Sequence, residues 1–161
     1  MNWSGYDVIF DVITPVHRTM SVPRQLSNWD VFCNVIDNYG DIGVCWRLAR
    51  QLAAEHGFHV RLWVDDLKAF RRIWPEVDPT LPLQTVLEVE VRHWDADFLS
   101  SSLGDVVIET FACQLPERFV EAMTRCEPPP VWINLDYLSA EAWVSGCHGL
   151  PSPHPLYPLT K

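Results

Sequence analysis

The sequence has no run of about 18 apolar residues, the length a membrane-spanning helix needs, so no membrane partner is expected. It is also short of cations. Lys and Arg together number 12 against 21 Asp and Glu, a net charge of −9. Affinity for a phosphate backbone comes from clustered Lys and Arg, so direct nucleic-acid binding is not expected. Glycine is sparse, at 7 residues, and forms no G-x-G-x-x-G fingerprint, P-loop or G-x-S-x-G elbow. Dinucleotide, P-loop and serine-hydrolase chemistries lose their usual signatures. The five cysteines, at 33, 45, 113, 126 and 147, form no C-x-x-C and no zinc spacing. Reduced, mostly buried thiols in a cytoplasmic protein are expected. Cys147-His148 alone is too little for a metal site, and no metal is assigned. The N-terminus has no basic region, and Asp7 and Asp11 interrupt its apolar stretch, so it does not read as a signal peptide.

What is present is an ordinary globular composition. Apolar residues make up 48% and charged residues 20% of 161, enough for one domain with a real core. Residues 1–28 read as a poorly ordered extension. Tyr6–Phe10 resembles a short strand, but Pro15 and Pro23 keep the chain after it from forming a regular element. Trp29–Ile36 then reads as a buried strand, Asp37–Gly43 as a turn, and about 44–56 as a helix. Ile42, Cys45, Leu48, Ala49, Leu52 and Ala53 recur on one helical face, with Asp41 as cap and Gly57 as stop.

The βα rhythm continues. Phe58–Val64 is a strand, and Asp65-Asp66 opens a short helix that Pro75 closes. Val86–Trp94 alternates as one strand, and Asp105–Glu109 is a buried one. Pro116–Arg125 is a helix, Val131–Leu135 a fifth strand, and Ser139–Trp143 a short capped helix. The expected fold is α/β: a Rossmann-like three-layer domain over 29–148 with a mostly parallel sheet, followed by an interdomain tail at 149–161. In such sheets ligands meet the carboxyl ends of strands. That rule gathers Asp37–Gly43, Asp65-Asp66, Glu109–Cys113 and Asp136–Ser139 on one rim.

The first βα turn, D-N-Y-G-D-I-G at 37–43, carries most of the chemistry. Two glycines allow close backbone approach, and a helix N-terminus favours an anion. Two carboxylates crowd that place, however, and suit a proton or a cation better than a phosphate. On the residues alone, Asp41 is either a helix cap or a base. Asp37 either shapes an Asx turn with Asn38 or serves as a second working carboxylate. Glu109 is a catalytic group or a rim hydrogen-bonder. Tyr137 packs on the rim or contacts a ligand, and Gly43 is a further rim position.

Four ordered blocks resemble the protein-arginine rhamnosyltransferases that modify elongation factor P. They are D-N-Y-G-D-I-G-V-C-W-R-L-A-R at 37–50, V-R-L-W-V-D-D-L at 60–67, D-V-V-I-E-T-F-A-C-Q-L-P-E at 105–117 and W-I-N-L-D-Y-L-S-A-E at 132–141. The resemblance implies the N-terminal half of a GT-B enzyme, in which two Rossmann-like domains face one cleft. It implies inverting transfer of L-rhamnose from dTDP-β-L-rhamnose to an arginine of elongation factor P, with no metal or other cofactor. By position, Asp41 matches the proton acceptor and Asp37 a second important carboxylate. Asn38, Tyr39, Gly40 and Asp41 match the stretch bordering the donor sugar, where Tyr39 serves as an aromatic wall. The family's second domain supplies most nucleotide contacts, so this chain is expected to be an acceptor-side part without turnover of its own. Two other readings remain: a non-catalytic protein-binding module, or a sugar-nucleotide-binding domain of another transferase.

Overall fold

The computed structural model describes residues 27–37, 39–94 and 102–161. The expected extension before residue 27, with the strand at Tyr6–Phe10, lies outside the described residues, and so does Asn38. The described residues fall into two units, 27–139 with 151–161, and 140–150. No helix among them is long and apolar enough to cross a membrane.

The larger unit is built on one six-stranded sheet. Its elements in chain order are β1 (Asn28–Cys33), α1 (Gly40–His56), β2 (His59–Val64), α2 (Leu67–Ile73), β3 (Leu83–Val86), β4 (Val89–His93), β5 (Val106–Thr110), α3 (Glu117–Thr124) and β6 (Val131–Leu135). The sheet order is β3-β4-β2-β1-β5-β6. All neighbours are parallel except the β3–β4 pair. Numbered among themselves, the five parallel strands run third, second, first, fourth, fifth. The order reverses between β1 and β5, which makes their carboxyl ends the switch point of a doubly wound sheet.

Strand alternation sorts the side chains into two layers. Phe32, Trp63 and Glu109 are register partners, as are Val31, Leu62 and Ile108. Phe32, Trp63, Val107 and Trp132 form one core with Phe119, Val120 and Met123 of α3. The opposite face carries Cys33, whose thiol is pushed up chiefly by its hydrogen bond with Cys45 of α1. Helix α2 joins that layer through Phe70, 5.1 Å from Trp46 of α1. The three-layer α/β expectation therefore holds. The tail at 151–161 folds into a small hairpin, with Ser152 and Lys161 exchanging backbone hydrogen bonds of 2.9 and 3.0 Å. Leu159 enters the α3-side core, and His154 stacks on Trp132 at 5.7 Å.

Several local expectations need correction. Strand β1 stops at Cys33 rather than Ile36. Beyond it the Val35 N–H donates to Asp65 Oδ1 (2.8 Å) and the Ile36 N–H to Asp41 Oδ2 (3.0 Å), so the chain is drawn out of the ladder. Helix α1 starts at Gly40, one turn earlier than expected. Asp41 is not its cap: it lies inside the first turn, and the N-cap residue is Tyr39. The free N–H groups of Tyr39 and Gly40 are taken by Asp37.

The alternating run at 86–94 is a hairpin, not one strand. Leu87 and Glu88 turn the chain at φ 45° and 65°, and β3 pairs back along β4. No helix forms at 139–143. In the smaller unit a single 3₁₀ turn, Val144–Gly146, lies just beyond, where Gly149 and Pro151 leave little room for a helix to continue. Along α1 and at the start of α2 the expectation holds. The six residues foreseen on the apolar face of α1 are all buried. Gly57 closes that helix at φ 67°, and Asp66 caps α2 through Lys68 N and Ala69 N.

Candidate active site at the carboxyl ends of β1 and β5

Asp41 is the centre of the site. It is acidic, yet its exposure is 0%, and a buried carboxylate needs hydrogen bonds to offset lost water. Oδ2 accepts from the Ile36 and Asp37 N–H groups at 3.0 and 3.1 Å, and Oδ1 accepts from the Tyr137 hydroxyl at 2.8 Å. Two donors come from the turn after β1 and the third from the segment after β6. The carboxylate thus ties the first and last parallel strands together above the switch point.

Asp37 occupies the helix start. Its Oδ1 accepts from Gly40 N at 2.5 Å and Tyr39 N at 3.1 Å. These bonds, Gly40's first, hold its carboxyl below the usual carboxylate range. Two of the donors at this helix start, where a phosphate would otherwise bind, are therefore filled from within the chain. Gly40 leaves room for this carboxylate: a Cβ there would lie 2.7 Å from Asp37 Oδ2 and would push the side chain aside. At Gly43 a Cβ would meet nothing within 4 Å.

Tyr137 rests on the loop after β5. Its ring stacks on Phe111 at 4.3 Å and 16°. Phe111, Ala112 and Gln114 all have φ of 52–53°, a region costly for residues with a Cβ. Backbone held in such a conformation tends to collect at functional sites. No residue type in F-A-C-Q advertises this, so sequence reasoning had no signal for it beyond the position after β5. Below the loop, the Thr110 hydroxyl donates to the Phe32 carbonyl (2.5 Å) and accepts from the Cys45 thiol at 3.3 Å. The hydrogen bond to Asp41 is also the main reason the Tyr137 phenol is pushed up to about 12.

The structure brings Asp37, Tyr39, Gly40, Asp41 and Tyr137 to one rim, with Gly43 in the same first helical turn. Ile36, Tyr39, Tyr137 and Leu138 are exposed apolar groups there. Asn38 belongs to the same turn but lies outside the described residues. Glu109 stands apart. It is the register partner of Phe32 on the α3 side, 2% exposed, and it pairs with Lys161 Nζ at 2.7 Å. Asp65 supports the β1 exit, and Asp66 caps α2. Both line a cavity of about 370 Å³ with Leu67, Lys68, Pro79, Pro82 and His93, which neither Asp37 nor Asp41 reaches. Among the described residues no group of three or more His, Cys, Asp or Glu side chains is placed to hold a metal ion.

Chemically, the rim offers two carboxylates at one turn. One is fully paired and buried, the other exposed and readily ionised. That pair suits a cationic group that must be held and deprotonated.

Residues 29–161 match the family described as elongation-factor P (EF-P) rhamnosyltransferase EarP. A protein-arginine rhamnosyltransferase of Pseudomonas putida is 62% identical over 129 residues, covering 80% of this chain and 34% of the relative. Those of Pseudomonas aeruginosa and Shewanella oneidensis are 57% and 48% identical, over 79% and 83% of this chain and 34% and 35% of theirs. The chain thus spans about a third of the length of the curated relatives it matches.

Proposed function

Because the chain belongs to the elongation-factor P rhamnosyltransferase family, we propose that it forms the acceptor-side rim of an inverting protein-arginine rhamnosyltransferase of GT-B architecture. The donor is dTDP-β-L-rhamnose, the acceptor an arginine side chain of elongation factor P, and Asp41 is the general base. The observation that carries this reading is the state of Asp41: a buried carboxylate, fixed by three donors at the switch point, one turn from a second carboxylate.

The chemistry explains why two carboxylates are useful. A guanidinium stays protonated, with a pKa above about 12, and its lone pairs are delocalised. Asp37 attracts the cation and holds part of its charge to one side. Asp41 takes a proton from the attacking nitrogen as a C–N bond forms at the anomeric carbon. The bond from that carbon to the diphosphate oxygen breaks on the opposite face, and the nucleoside diphosphate leaves with the electron pair. General-base assistance of this kind contributes about 10²–10⁴-fold. Tyr39, exposed beside the carboxylates, supplies an apolar wall for the sugar ring. Ile36 and Leu138 extend an apolar surface on which a protein acceptor docks.

The test is Asp41→Asn in the full-length protein, read as the intact mass of elongation factor P after incubation with donor. The unsubstituted enzyme adds one rhamnosyl group, and the Asn variant, melting at an unchanged temperature, adds none. Modified acceptor from the Asn variant contradicts the assignment of the base.

A further inference from the structure

A base with 0% exposure cannot touch an acceptor, so something covering Asp41 has to move. Its two oxygens are covered differently. Oδ2 is held by the Ile36 and Asp37 backbone N–H groups, which belong to the turn that shapes the site. Oδ1 is held by one side-chain hydroxyl, that of Tyr137, 96 residues further along the chain. Tyr137 is itself 56% exposed, and its ring is packed on Phe111 alone among the ring contacts described. Of the three donors on Asp41, Tyr137 alone can leave by rotation about side-chain torsions, with the backbone in place.

We propose that the Tyr137 hydroxyl is a placeholder on Asp41 Oδ1, occupying the position that an N–H of the acceptor guanidinium takes in the reactive complex. This rests on the reading of Asp41 as the base and names the atom at which the acceptor binds. The exchange suits both sides. The buried carboxylate keeps a donor throughout, so it is never left unpaired. A neutral phenol gives way to a charged N–H, whose bond to a carboxylate is roughly twice as strong. Water offers no such gain, so the tyrosine stays closed against solvent and opens for a cation. The released ring remains at the rim, beside the exposed apolar side chains.

The experiment is Tyr137→Phe in the full-length protein, titrated by calorimetry with unmodified elongation factor P and with the same factor carrying alanine at the acceptor arginine. Phenylalanine keeps the ring on Phe111 and removes only the hydroxyl, and at a half-exposed position it leaves the fold intact. With no hydroxyl to displace, the variant binds the arginine form roughly two- to tenfold more tightly. It binds the alanine form as the unsubstituted protein does. Unchanged or weaker binding overturns the proposal, because it makes Tyr137 a bystander or an acceptor contact. A gain that persists with the alanine form overturns it as well. The Asp41→Asn turnover assay, run alongside, keeps the two readings apart. Turnover by the Asn variant removes the base, whereas lost turnover without tighter binding by Tyr137→Phe removes the placeholder alone.

Discussion

At the residue scale, Asp37 and Asp41 exchange the roles their positions suggest. Both lie within reach of a helix start, and cap preference cannot choose between two aspartates four residues apart. Geometry chooses: Asp37 reaches forward to Tyr39 N and Gly40 N, while Asp41 turns back to Ile36 N and Asp37 N. A depressed folded-state pKa has a definite sign. Asp37 contributes stability above its unfolded pKa of about 4, and that contribution disappears as pH falls through the lower folded value. The difference in denaturant midpoint between the unsubstituted protein and Asp37→Ala is therefore full at neutral pH and shrinks on acidification below about pH 4. A difference that stays constant into strong acid contradicts this. The two glycines of the turn also separate. Gly43→Ala has open space and sits in a helix, so it stabilises by about 0.5–1 kcal/mol. Gly40→Ala forces the Asp37 carboxylate aside and destabilises by about 1 kcal/mol or more. Urea titrations of the pair measure both, and equal effects count against the described turn.

At the element scale, the strongly patterned segments were legible and the irregular ones were not. The apolar face of α1, the cap of α2 and strands β2, β5 and β6 follow from periodicity and punctuation. The β3–β4 hairpin does not, because its turn is Leu87-Glu88, both at positive φ, without the glycine or asparagine that marks such turns. The alternating pattern continues through the turn and hides it. The same strain makes a prediction. Replacing Leu87-Glu88 by Asn-Gly relieves backbone cost and raises stability by about 1 kcal/mol, measured by urea unfolding. A loss of stability contradicts the hairpin. The loop after β5 was silent for a related reason: Phe111, Ala112 and Gln114 hold left-handed backbone that their side chains do not favour.

At the scale of the whole molecule, alternating strands and helices implied a mostly parallel sheet, whereas the strand order and its switch point come from the structure, and they place the Asp41 rim where α/β folds receive ligands. A different carboxylate holds the sheet together. Asp30, wholly buried, accepts from Arg61 at 2.6 Å, Trp63 Nε1 at 2.8 Å and Gly104 N at 2.6 Å. Asp30→Ala strands the Arg61 charge and costs about 3–5 kcal/mol, seen as a large fall in denaturant midpoint. On the proposed function Asp41→Asn, by contrast, costs activity first, and a small stability loss for Asp30→Ala contradicts that division of labour.

The proposed function requires that this rim receive an arginine. Titrating the protein with unmodified elongation factor P, and then with the factor whose acceptor arginine is alanine, decides it. Saturable binding that weakens with the alanine form is the expected result. Equal binding of the two forms contradicts it, because the carboxylates at the end of β1 then face something other than the acceptor side chain.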